Sequence, residues 1–514
     1  MTELPTNLGT GYGLSAQKAQ SLSLESNVTL LDSRLDDDHL HEECAVFGII
    51  GTPDAGPHTA LGLHALQHRG QEATGIVSWD NHHFHAHRGL GHVSENFGGG
   101  SSSTVAELSG HAAIGHNRYS TTGGTNLRNV QPLFADIELG GLAICHNGNI
   151  TNALELRKDL VSQGSLFQST TDTETIIHLI ARSTASTLAE RMVEAIRQIE
   201  GAFSLVCLTQ DAVIGIRDPL GVRPLVLGRL GEAHIVASES CAFDIVGAEF
   251  VRDVDPGEMV ILSSRGVRSV HPFPKRPSRF CVFEYIYFAR PDSIVEGHSV
   301  YDARKAIGAE LARESYVDAD IVVPVPDSGV PAAVGYAAAS NIRFELGIIR
   351  NHYVGRTFIE PTDQVRHLGV KLKHNANRSL IKGNRVILVD DSIVRGTTST
   401  KIVEMVRAAG AKEVHMRIAS PPTTHSCFYG VDTPEREKLL AARLSIGEMA
   451  HEIGVDSLAF LSIDGLYRAM GEPGRDNETP KFCDACLTGE YPIRLTDHEG
   501  GARGVQLSFL AEAS

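Results

Sequence analysis

The sequence predicts a two-domain protein of the α+β/α-β class, and three observations support that prediction. The 514 residues exceed the usual size of a single domain. Residues 44 to about 245 alternate short β-type runs with Gly-rich turns. From about residue 281, continuous apolar strands alternate with polar loops and helices. We therefore expect a layered sheet domain with flanking helices, followed by a domain built on a buried parallel sheet.

The first predicted domain covers residues 44–275. Its runs of apolar and β-branched residues are bounded by Gly, Asn and Pro, which is typical of strands separated by turns. Two stretches show helical periodicity instead, "TALGLHALQHRG" and "TETIIHLIARSTASTLAERMVEAIRQIE". The predicted strands are "CAVFGII", "AAIGHNRYS", "GGLAICHNGNI", "FSLVCLT", "AVIGIRDP", "PLVLGRL" and "HIVASES".

The second predicted domain covers residues 276–475 and repeats a strand–loop–helix plan. "DADIVVPVPDSGVPAAVGYAAAS" and "NRVILVDDSIVRGTTSTKIVEMVRAAGA" each run from an apolar strand through a polar loop into a helix. "EVHMRIASPP" supplies another strand. Parallel sheets bind ligands at the carboxyl ends of their strands, which is where both polar loops fall. Residues 476–514 form a polar tail that carries "CDAC".

Composition and charge argue against several classes of protein. The formal net charge of −16 disfavours nucleic-acid and anionic-membrane partners, because both reward clustered Lys and Arg. No run approaches about eighteen consecutive apolar residues, so no membrane span is expected. The eight cysteines are spread over a long chain without an export signal, which favours the reducing cytoplasm over a disulfide framework.

Residues 1–43 precede the first predicted strand and do not have the composition of a folded segment. They are polar and rich in Ser, Gly and Asp, so they bury too little apolar surface to offset their ordering entropy. They also lack the basic and apolar regions of a secretory signal. Two interpretations stay open, a disordered tail and a propeptide.

Cys44 becomes the first residue if the leader is removed. In mid-chain, a cysteine in this context is most often an ordinary buried thiol. At a new N-terminus, the α-amino group has an ordinary pKa of about 8 and can act as the base for the thiol. We therefore expect residues 1–43 to be a propeptide and Cys44 to be an N-terminal nucleophile.

Three short stretches carry polar residues that suit a glutamine amidase. Arg118 in "GHNRYSTTGG" suits a substrate α-carboxylate, and Asp172 in "STTDTETIIHLI" suits its α-ammonium. Asn147 and the Gly148 N–H group in "CHNGNI" suit an oxyanion hole. Each signal is weak alone, because His-Asn-Gly is a common turn and Asp172 could simply cap a helix.

With Cys44, these stretches resemble the class II glutamine amidotransferase family over roughly residues 44–275. "QHRGQEATG", "GHNRYSTTG" and "HNGNI" match its motifs. The resemblance implies an Ntn-hydrolase fold, which is a four-layer sandwich, and autocatalytic removal of the leader. It assigns Cys44, Asn147 and Gly148 to catalysis, and Arg69, Arg118 and Asp172 to glutamine binding.

The stretch "VILVDDSIVRGTTST" closes a predicted strand with two carboxylates and opens a helix with Gly, Thr and Ser. Backbone N–H groups, hydroxyls and a helix N-terminus form a cradle suited to a phosphate. Asp390 and Asp391 beside it could hold sugar hydroxyls or, through a metal ion, a pyrophosphate. The alternative is an acidic strand end followed by a capped helix.

This stretch resembles the fingerprint of the type I phosphoribosyltransferase family, which binds phosphoribosyl pyrophosphate. The resemblance implies an α/β fold with a parallel sheet and a substrate-associated Mg²⁺. The Asp pair would face the ribose, the loop from Gly396 would cradle the 5′-phosphate, and the loop at Asp327 would hold the pyrophosphate. The implied Mg²⁺ ligands are Ser328, Asp390 and Asp391. The implied substrate contacts are Asp327, Ser328, Gly329, Arg356, Lys371, Asp390, Asp391, Ser392, Gly396, Thr397, Thr398 and Ser399.

The segment that joins these two loops, "IIRNHYVGRTFIEPTDQVRHLGVKLK", is long and carries Arg, Lys and Gly. It could close over an anionic substrate and exclude water. Arg356 and Lys371 are its candidate anion contacts. The alternative is a solvated surface loop.

Both resemblances in one chain are typical of the amidophosphoribosyltransferase family, which "FEYIYFARPDS" at residues 283–293 also resembles. The family implies that ammonia from glutamine displaces pyrophosphate from phosphoribosyl pyrophosphate, giving 5-phosphoribosylamine in the first step of purine (IMP) synthesis. It implies a dry internal passage, with "CVFEYIYFA" as plausible lining, feedback inhibition by purine nucleotides, and a homotetramer. Two alternatives stay open: a regulatory protein that senses phosphoribosyl pyrophosphate with an inactive glutaminase, and a glutaminase that serves another acceptor.

Cys483 and Cys486 form a C-x₂-C pair, a spacing typical of metal ligands. Two further ligands must come from elsewhere, and sequence spacing alone cannot select them. The family resemblance implies a [4Fe–4S] cluster whose other ligands are Cys281 and Cys427, with a structural role for the tail. A zinc ion and four unrelated thiols remain alternatives. The cysteines expected to be inert are Cys145, Cys207 and Cys241.

Overall fold

The computed structural model describes residues 41–42, 44–98, 104–119, 126–351 and 374–498. Within those ranges, both predicted halves of the chain are folded, and each has its own apolar core. No helix in the described part of the chain is both long and apolar enough to cross a membrane.

The first domain consists of two antiparallel sheets and short helices. In the described residues, one sheet has the strand order β12-β10-β11-β2-β5-β3-β4 and the other has the order β14-β13-β9-β8-β7-β6. The strands are β1 (His41–Glu42), β2 (Ala45–Ile50), β3 (Ala73–Trp79), β4 (Phe84–Leu90), β5 (Ala112–Arg118), β6 (Leu133–Ile137), β7 (Gly140–Ile150), β8 (Gly201–Leu208), β9 (Val213–Arg217), β10 (Val226–Leu230), β11 (Ala233–Ala237), β12 (Glu249–Asp253), β13 (Met259–Ser263) and β14 (Gly266–Val270). The helices are α1 (Ala55–Ala65), α2 (Val93–Phe97), α3 (Thr104–Glu107), α4 (Ala153–Ser162), α5 (Thr173–Arg182), α6 (Leu188–Ile196) and α7 (Cys241–Val246).

The two sheets pack face to face, and the helices cover their outer faces. Val46 and Ile114 of the first sheet share one buried cluster with Ala143 and Val206 of the second. The sheets approach so closely at Gly48 that a Cβ atom there would lie 2.7 Å from the Val206 side chain. Helices α1 and α7 bury their apolar residues against the first sheet, and α4, α5 and α6 bury theirs against the second. The predicted four-layer sandwich is therefore confirmed.

The long helical stretch of the first domain is interrupted. Residues 173–200 have one continuous helical period in sequence, but the structure has α5 and α6 with a break between them. Thr187 begins α6 as its N-cap residue: its hydroxyl accepts from the Glu190 N–H, and the Glu190 carboxylate accepts from the Thr187 N–H. This capping box gives the backbone a helix start that periodicity alone does not reveal.

The second domain is built on a parallel sheet with the order β19-β18-β22-β23-β25. Its two central strands are buried except for Arg385 at the start of one of them, as continuous apolar strands of a parallel sheet should be. The strands of this half are β15 (Phe280–Cys281), β16 (Ile294–Val295), β17 (His298–Ser299), β18 (Ile321–Pro324), β19 (Arg343–Phe344), β20 (Ile348–Arg350), β21 (His374–Ala376), β22 (Arg385–Asp390), β23 (Glu413–Ile418), β24 (Val431–Asp432), β25 (Ser457–Phe460) and β26 (Phe482–Cys483). The helices are α8 (Val300–Glu314), α9 (Val330–Ser340), α10 (Arg378–Ile381), α11 (Thr397–Ala408), α12 (Leu440–Arg443), α13 (Ile446–Ile453), α14 (Ile463–Ala469) and α15 (Ala485–Thr488).

Two further segments connect the domains. Residues 284–288 form a short buried π-helix, which we call the junction helix. The C-terminal tail returns to the first domain, where the Asp497 carboxylate accepts from the N–H groups of Leu154 and Glu155 at 2.8 and 3.1 Å. The tail therefore caps α4, a helix of the first domain, and links the two halves of the chain.

Candidate active sites

Cys44 stands directly before β2, at one end of the sandwich. The neighbouring strand β5 pairs Asn117 with Ala45, which brings the end of β5 beside Cys44. The Cys44 Sγ atom lies 3.8 Å from the carbonyl oxygen of Tyr119, and its side chain is 8% exposed. Its φ of +70° is in the left-handed region, which non-glycine residues adopt at a cost in strain.

The two predicted oxyanion residues, Asn147 and Gly148, lie on β7 of the opposite sheet, within a strand and not on the tight turn that their sequence suggests. His116 Nε2 of β5 lies 3.1 Å from the His146 carbonyl oxygen, so the two sheets are joined next to Asn147. The Asn147 amide is fully buried, and neither its Oδ1 nor its Nδ2 atom has a hydrogen-bond partner among the described residues. Such orphaned buried amides are rare and favour a ligand as the missing partner.

Gly148 follows Asn147 on β7 in a conformation that needs glycine. Its φ is +140°, and a Cβ atom would lie 2.0 Å from the Ala202 carbonyl oxygen. Any other side chain there would displace the backbone of β8.

The structure places the two predicted glutamine-binding side chains in defined hydrogen bonds. Arg118 Nη1 donates to the Asn129 carbonyl oxygen at 3.0 Å. Asp172, at the start of α5, accepts from the Ile150 N–H at 3.0 Å and lies 3.6 Å from His146 Nδ1. Burial alone would raise the pKa of Asp172, but His146 and the adjacent backbone N–H groups lower it below its usual value. The carboxylate thus stays ionised at neutral pH, as an ammonium partner requires.

Arg69, the third predicted glutamine contact, lies in a different environment. Its guanidinium is fully buried and forms ion pairs with Glu239 and Glu284. The sequence motif predicted the arginine, but it did not predict these two carboxylates. His116 and His146 were also not predicted as part of the site. The signal for Glu284 was the "FEYIYFARPDS" stretch, whereas Glu239 is brought in only by the tertiary fold.

In the second domain, the two predicted acidic loops follow neighbouring parallel strands, β18 and β22. Asp390 and Asp391 are both 2% exposed. The Asp391 Oδ2 atom accepts from the Ser392 hydroxyl at 2.8 Å. The Asp391 Oδ1 atom is buried and has no hydrogen-bond partner among the described residues. This oxygen is therefore available to a cation or a hydroxyl group.

The predicted phosphate cradle surrounds the N-terminus of α11. Gly396 caps this helix with a φ of +85°, and Thr397, Thr398 and Ser399 form its first turn. Backbone N–H groups at a helix start are unpaired within the helix and attract anions.

The loop after β18 lies beside the end of β22 that carries Asp390. Gly329 packs so tightly that a Cβ atom would lie 2.4 Å from the carbonyl oxygen of Val389, the residue before Asp390. Asp327 is exposed and pairs with Arg350, and Ser328 is half-buried. The structure therefore brings the two predicted loops together. Arg356 and Lys371 lie outside the described residues.

The four cysteines predicted as cluster ligands line one cavity. Strands β15 and β26 pair in parallel and place Cys281 opposite Cys483. Cys427 and Cys486 complete the lining, with apolar side chains and Arg223 around them. None of the four forms a disulfide. No three of these sulfur atoms lie within 4.8 Å of one another among the described residues.

Comparison with known proteins defines the class. A glutamine amidotransferase domain model matches residues 116–244, and a phosphoribosyl transferase domain model matches residues 296–419. The chain is thus an enzyme that joins a glutamine amidotransferase domain to a phosphoribosyltransferase domain, in the order that the motifs predicted.

Relatives over nearly the whole chain define the family. The amidophosphoribosyltransferase of Rhizobium etli is 57% identical over 486 residues, which cover 93% of this chain and 98% of that protein. That of Bacillus subtilis is 49% identical, covering 89% of this chain and 95% of that protein. The chain therefore belongs to the amidophosphoribosyltransferase family, and the predicted function, glutamine-dependent synthesis of 5-phosphoribosylamine, is confirmed.

Solved structures agree with this assignment. A structure described as the allosteric regulatory enzyme of purine biosynthesis superposes with a TM-score of 0.84 at 48% identity, covering 88% of this chain and 97% of that one. The Bacillus subtilis glutamine phosphoribosylpyrophosphate amidotransferase, complexed with ADP and GMP, superposes with a TM-score of 0.83 at 47% identity, covering 88% and 98%. The predicted parallel-sheet fold of the second domain is confirmed with them.

Proposed function

We propose that Cys44, as the first residue of the processed chain, is the nucleophile that releases ammonia from glutamine. The observation that carries this proposal is the unpartnered, buried amide of Asn147 on the strand that faces the Cys44 end of the sandwich. Such an amide suits the oxygen that becomes negatively charged during acyl transfer. The domain limits that go with this proposal are a propeptide at 1–43, a glutaminase at 44–275, a phosphoribosyltransferase at 276–475 and a tail at 476–514.

The glutaminase half-reaction then follows from the free α-amino group. This group takes the thiol proton as Cys44 Sγ attacks the carboxamide carbon. Asn147 Nδ2 and the Gly148 N–H donate to the resulting oxyanion. The α-ammonium returns the proton to the departing ammonia, and water hydrolyses the thioester to glutamate. Arg118 and Arg69 would bind the glutamine carboxylate, and Asp172 would bind its ammonium group.

The transferase half-reaction uses the loops of the parallel sheet. The Gly396–Ser399 turn would hold the 5′-phosphate, and Asp327, Ser328 and Gly329 would hold the pyrophosphate. Asp390 and Asp391 would hold the ribose hydroxyls, with Ser392 supporting them. Ammonia attacks the anomeric carbon, and pyrophosphate leaves with the bonding electrons. The buried aromatic residues of the junction helix are suitable lining for an ammonia passage, because a dry passage keeps ammonia unprotonated.

A magnesium ion fits the residues of this site. The unpartnered Oδ1 atom of Asp391 offers a hard oxygen ligand, with Ser328 and Asp390 as its companions. Held by these residues together with the substrate, a magnesium ion would supply neutralisation of the pyrophosphate charge. The work of the chain itself is to orient the ribose and the two phosphate groups around it.

A [4Fe–4S] cluster fits the cysteine cavity better than a zinc ion does. In a tetrahedral zinc site with bonds of about 2.3 Å, the sulfur atoms lie about 3.8 Å apart. The sulfur atoms here are spread more widely than that. We propose Cys281, Cys427, Cys483 and Cys486 as ligands of the cluster, which would tie the tail to both domains.

The proposal also covers inhibition by nucleotides, cellular location and assembly. The Bacillus subtilis relative was solved with ADP and GMP. We propose that purine nucleotides inhibit this chain as well, with their ribose phosphate in the Gly396–Ser399 cradle. A cytoplasmic homotetramer is the assembly that we propose.

The decisive experiment combines N-terminal sequencing with a Cys44→Ala variant, using anaerobically purified protein. The active wild-type protein should begin at Cys44. The variant should lose glutamine-dependent synthesis of 5-phosphoribosylamine and keep synthesis from ammonium salts. Wild-type protein that starts at Met1 and still hydrolyses glutamine would contradict the N-terminal nucleophile.

A further inference from the structure

Two arginines and two glutamates form a buried cluster where the two domains meet. Arg69, Arg223 and Glu239 belong to the first domain, and Glu284 begins the junction helix. Each of the four residues is at most 1% exposed. The positive and negative charges balance, which a buried ionic cluster requires because desolvation of an unpaired charge is costly.

Glu284 is the member that joins the two arginines. Its Oε2 atom accepts from Arg69 Nη2 at 2.6 Å, and its Oε1 atom accepts from Arg223 Nη1 at 3.1 Å. The Glu239 carboxylate has other donors besides Arg69. It also accepts hydrogen bonds from the Ser293 hydroxyl and the Arg290 N–H group. In the described structure, the Glu284 carboxylate bonds only to arginines of the first domain.

The first arginine, Arg69, is next in sequence to a glycine that contacts the strand carrying Arg118. Gly70 follows Arg69 and packs directly on the backbone of β5. A Cβ atom on Gly70 would lie 2.8 Å from the Asn117 carbonyl carbon and 2.9 Å from the backbone of Arg118. The position of Arg69 therefore sets the position of one wall of the proposed glutamine site.

The second arginine, Arg223, is connected through two backbone carbonyl groups to Gly148 on the other wall. Arg223 donates to the carbonyl oxygens of Tyr429 and Gly430 at 3.1 and 2.6 Å. Gly430 in turn presses on Gly148, because a Cβ atom on Gly430 would lie 2.9 Å from the Gly148 Cα atom. One carboxylate thus braces both walls of the same site through two arginines.

We propose that Glu284 is a positioning residue for the glutaminase half-reaction, acting through Arg69 and Arg223. The inference rests on the proposed glutamine site at Cys44, Arg118 and Gly148. Its consequence should be selective, because the hydrogen bonds of this carboxylate in the described structure go to Arg69 and Arg223 and not to the loops at Asp327 and Asp390. Misplacing a transition-state donor by a fraction of an ångström lowers the rate of the step that it serves.

The test compares the two nitrogen sources in a Glu284→Gln variant, which keeps the shape of the side chain and removes its charge. We expect the glutamine-dependent kcat/KM to fall about tenfold or more, since charge-assisted hydrogen bonds are lost. The ammonia-dependent kcat and the KM for phosphoribosyl pyrophosphate should stay within about twofold of the wild type. A Glu284→Asp variant, which keeps the charge, should recover part of the loss.

Glu258→Gln is the matched control. Glu258 is also buried and pairs with Arg252 of β12, but it stands directly before β13 in the first domain rather than at the junction. It should lower the midpoint of thermal unfolding without changing the ratio of glutamine-dependent to ammonia-dependent activity. An equal fall of both activities in Glu284→Gln, or no fall in either, would overturn the inference. If Glu284→Gln did not fold, the same ratio measured in Glu284→Asp would decide.

A Cys44→Ala variant measured alongside keeps the two proposals separate. Retained glutamine use in that variant would refute the nucleophile, and with it the site that Glu284 is said to brace. Loss of glutamine use in Cys44→Ala, together with an unchanged ratio in Glu284→Gln, would refute the positioning role alone.

Discussion

In the glutaminase domain, the candidate groups Arg118, Asn147 and Gly148 stand on strands of a closed sandwich, whereas in the phosphoribosyltransferase domain most candidate groups stand on loops at the carboxyl ends of an open sheet. Asn147 and His116 are fully buried on facing sheets. Asp327 and Thr397, by contrast, are exposed after β18 and at the start of α11. The first arrangement suits a small substrate enclosed by rigid walls. The second suits a large anion that brings its own charge and its own cation.

This difference determines whether a substitution at a candidate site also changes the stability of the fold. Groups on the sandwich strands stand where the two sheets meet, as the His116 contact with the His146 carbonyl shows, so their substitution tests geometry as well as chemistry. The exposed loop residues Asp327 and Thr397 contribute little to the core, so their substitution tests binding with little effect on the fold. The predictions below use this contrast, and the two that concern activity each compare one variant with a matched control residue.

The largest effect is expected for Asn147→Ala in the sandwich. Removing one oxyanion donor costs about 10²–10³-fold in kcat, and this loss should appear with glutamine and not with ammonium salts. Because the amide has no partner in the described structure, the midpoint of thermal unfolding should hardly change. The control is Asn152→Ala, whose amide hydrogen-bonds Gln198 and Glu200. That variant should lose stability and keep both activities.

A smaller effect is expected for Asp391→Asn at the sheet edge. The substitution keeps the shape and removes the charge, so the KM for phosphoribosyl pyrophosphate should rise about 10–100-fold with either nitrogen source. The control is Asp320→Asn, at the opposite end of the same sheet, where the carboxylate pairs with Arg385. A rise that appeared with glutamine alone would contradict the assignment of Asp391 to the transferase half-reaction.

The motifs predicted the parts of the molecule that are contiguous in sequence. The strand with Asp390 and Asp391, its Gly396 turn and the helix that follows are one local unit, and the structure has all three. The four-layer sandwich followed from a family resemblance, since alternating strands alone indicate sheets without their stacking. The resemblance also selected Cys281 and Cys427, which lie far from the C-x₂-C pair in sequence and yet line the same cavity.

What the sequence could not predict depends on contacts between distant segments. The carboxylates around Arg69 come from residues 170 and 215 positions away, so no local pattern pairs them. The same holds for His116 and His146, which meet only because two sheets stack. The break between α5 and α6 is different in kind. There the signal, Thr187 with Glu190 three residues later, was local but lay inside a strong helical period.

The pH dependence of stability tests the buried position of His116 in the sandwich. Burial, with the charge of Arg118 nearby, lowers the pKa of His116 from 6.5 to about 3 in the folded chain. Between these two pKa values the unfolded chain binds a proton at His116 that the folded chain does not. The contribution of His116 to the free energy of unfolding is therefore complete above pH 6.5 and is lost as the pH falls toward 3. The loss is at most about 1.4 kcal/mol per pH unit. Between pH 6.5 and 5, His116→Gln should lose up to about 2 kcal/mol less stability than the wild type in urea titrations. Equal losses would show that His116 is protonated in the fold.

The smallest effect concerns the two scaffolds themselves, each of which has a capping box. Thr187 with Glu190 begins α6 in the glutaminase domain, and Ser445 with Glu448 begins α13 in the phosphoribosyltransferase domain. Thr187→Ala and Ser445→Ala should each cost about 1 kcal/mol and leave both activities unchanged. Because the tail caps α4 and Arg223 holds the backbone of Tyr429, we expect the two domains to unfold together. Both variants should then lower one shared calorimetric transition. If each variant shifted a separate transition, the two domains would unfold independently. The contacts at the junction would then serve activity without coupling the stability of the two domains.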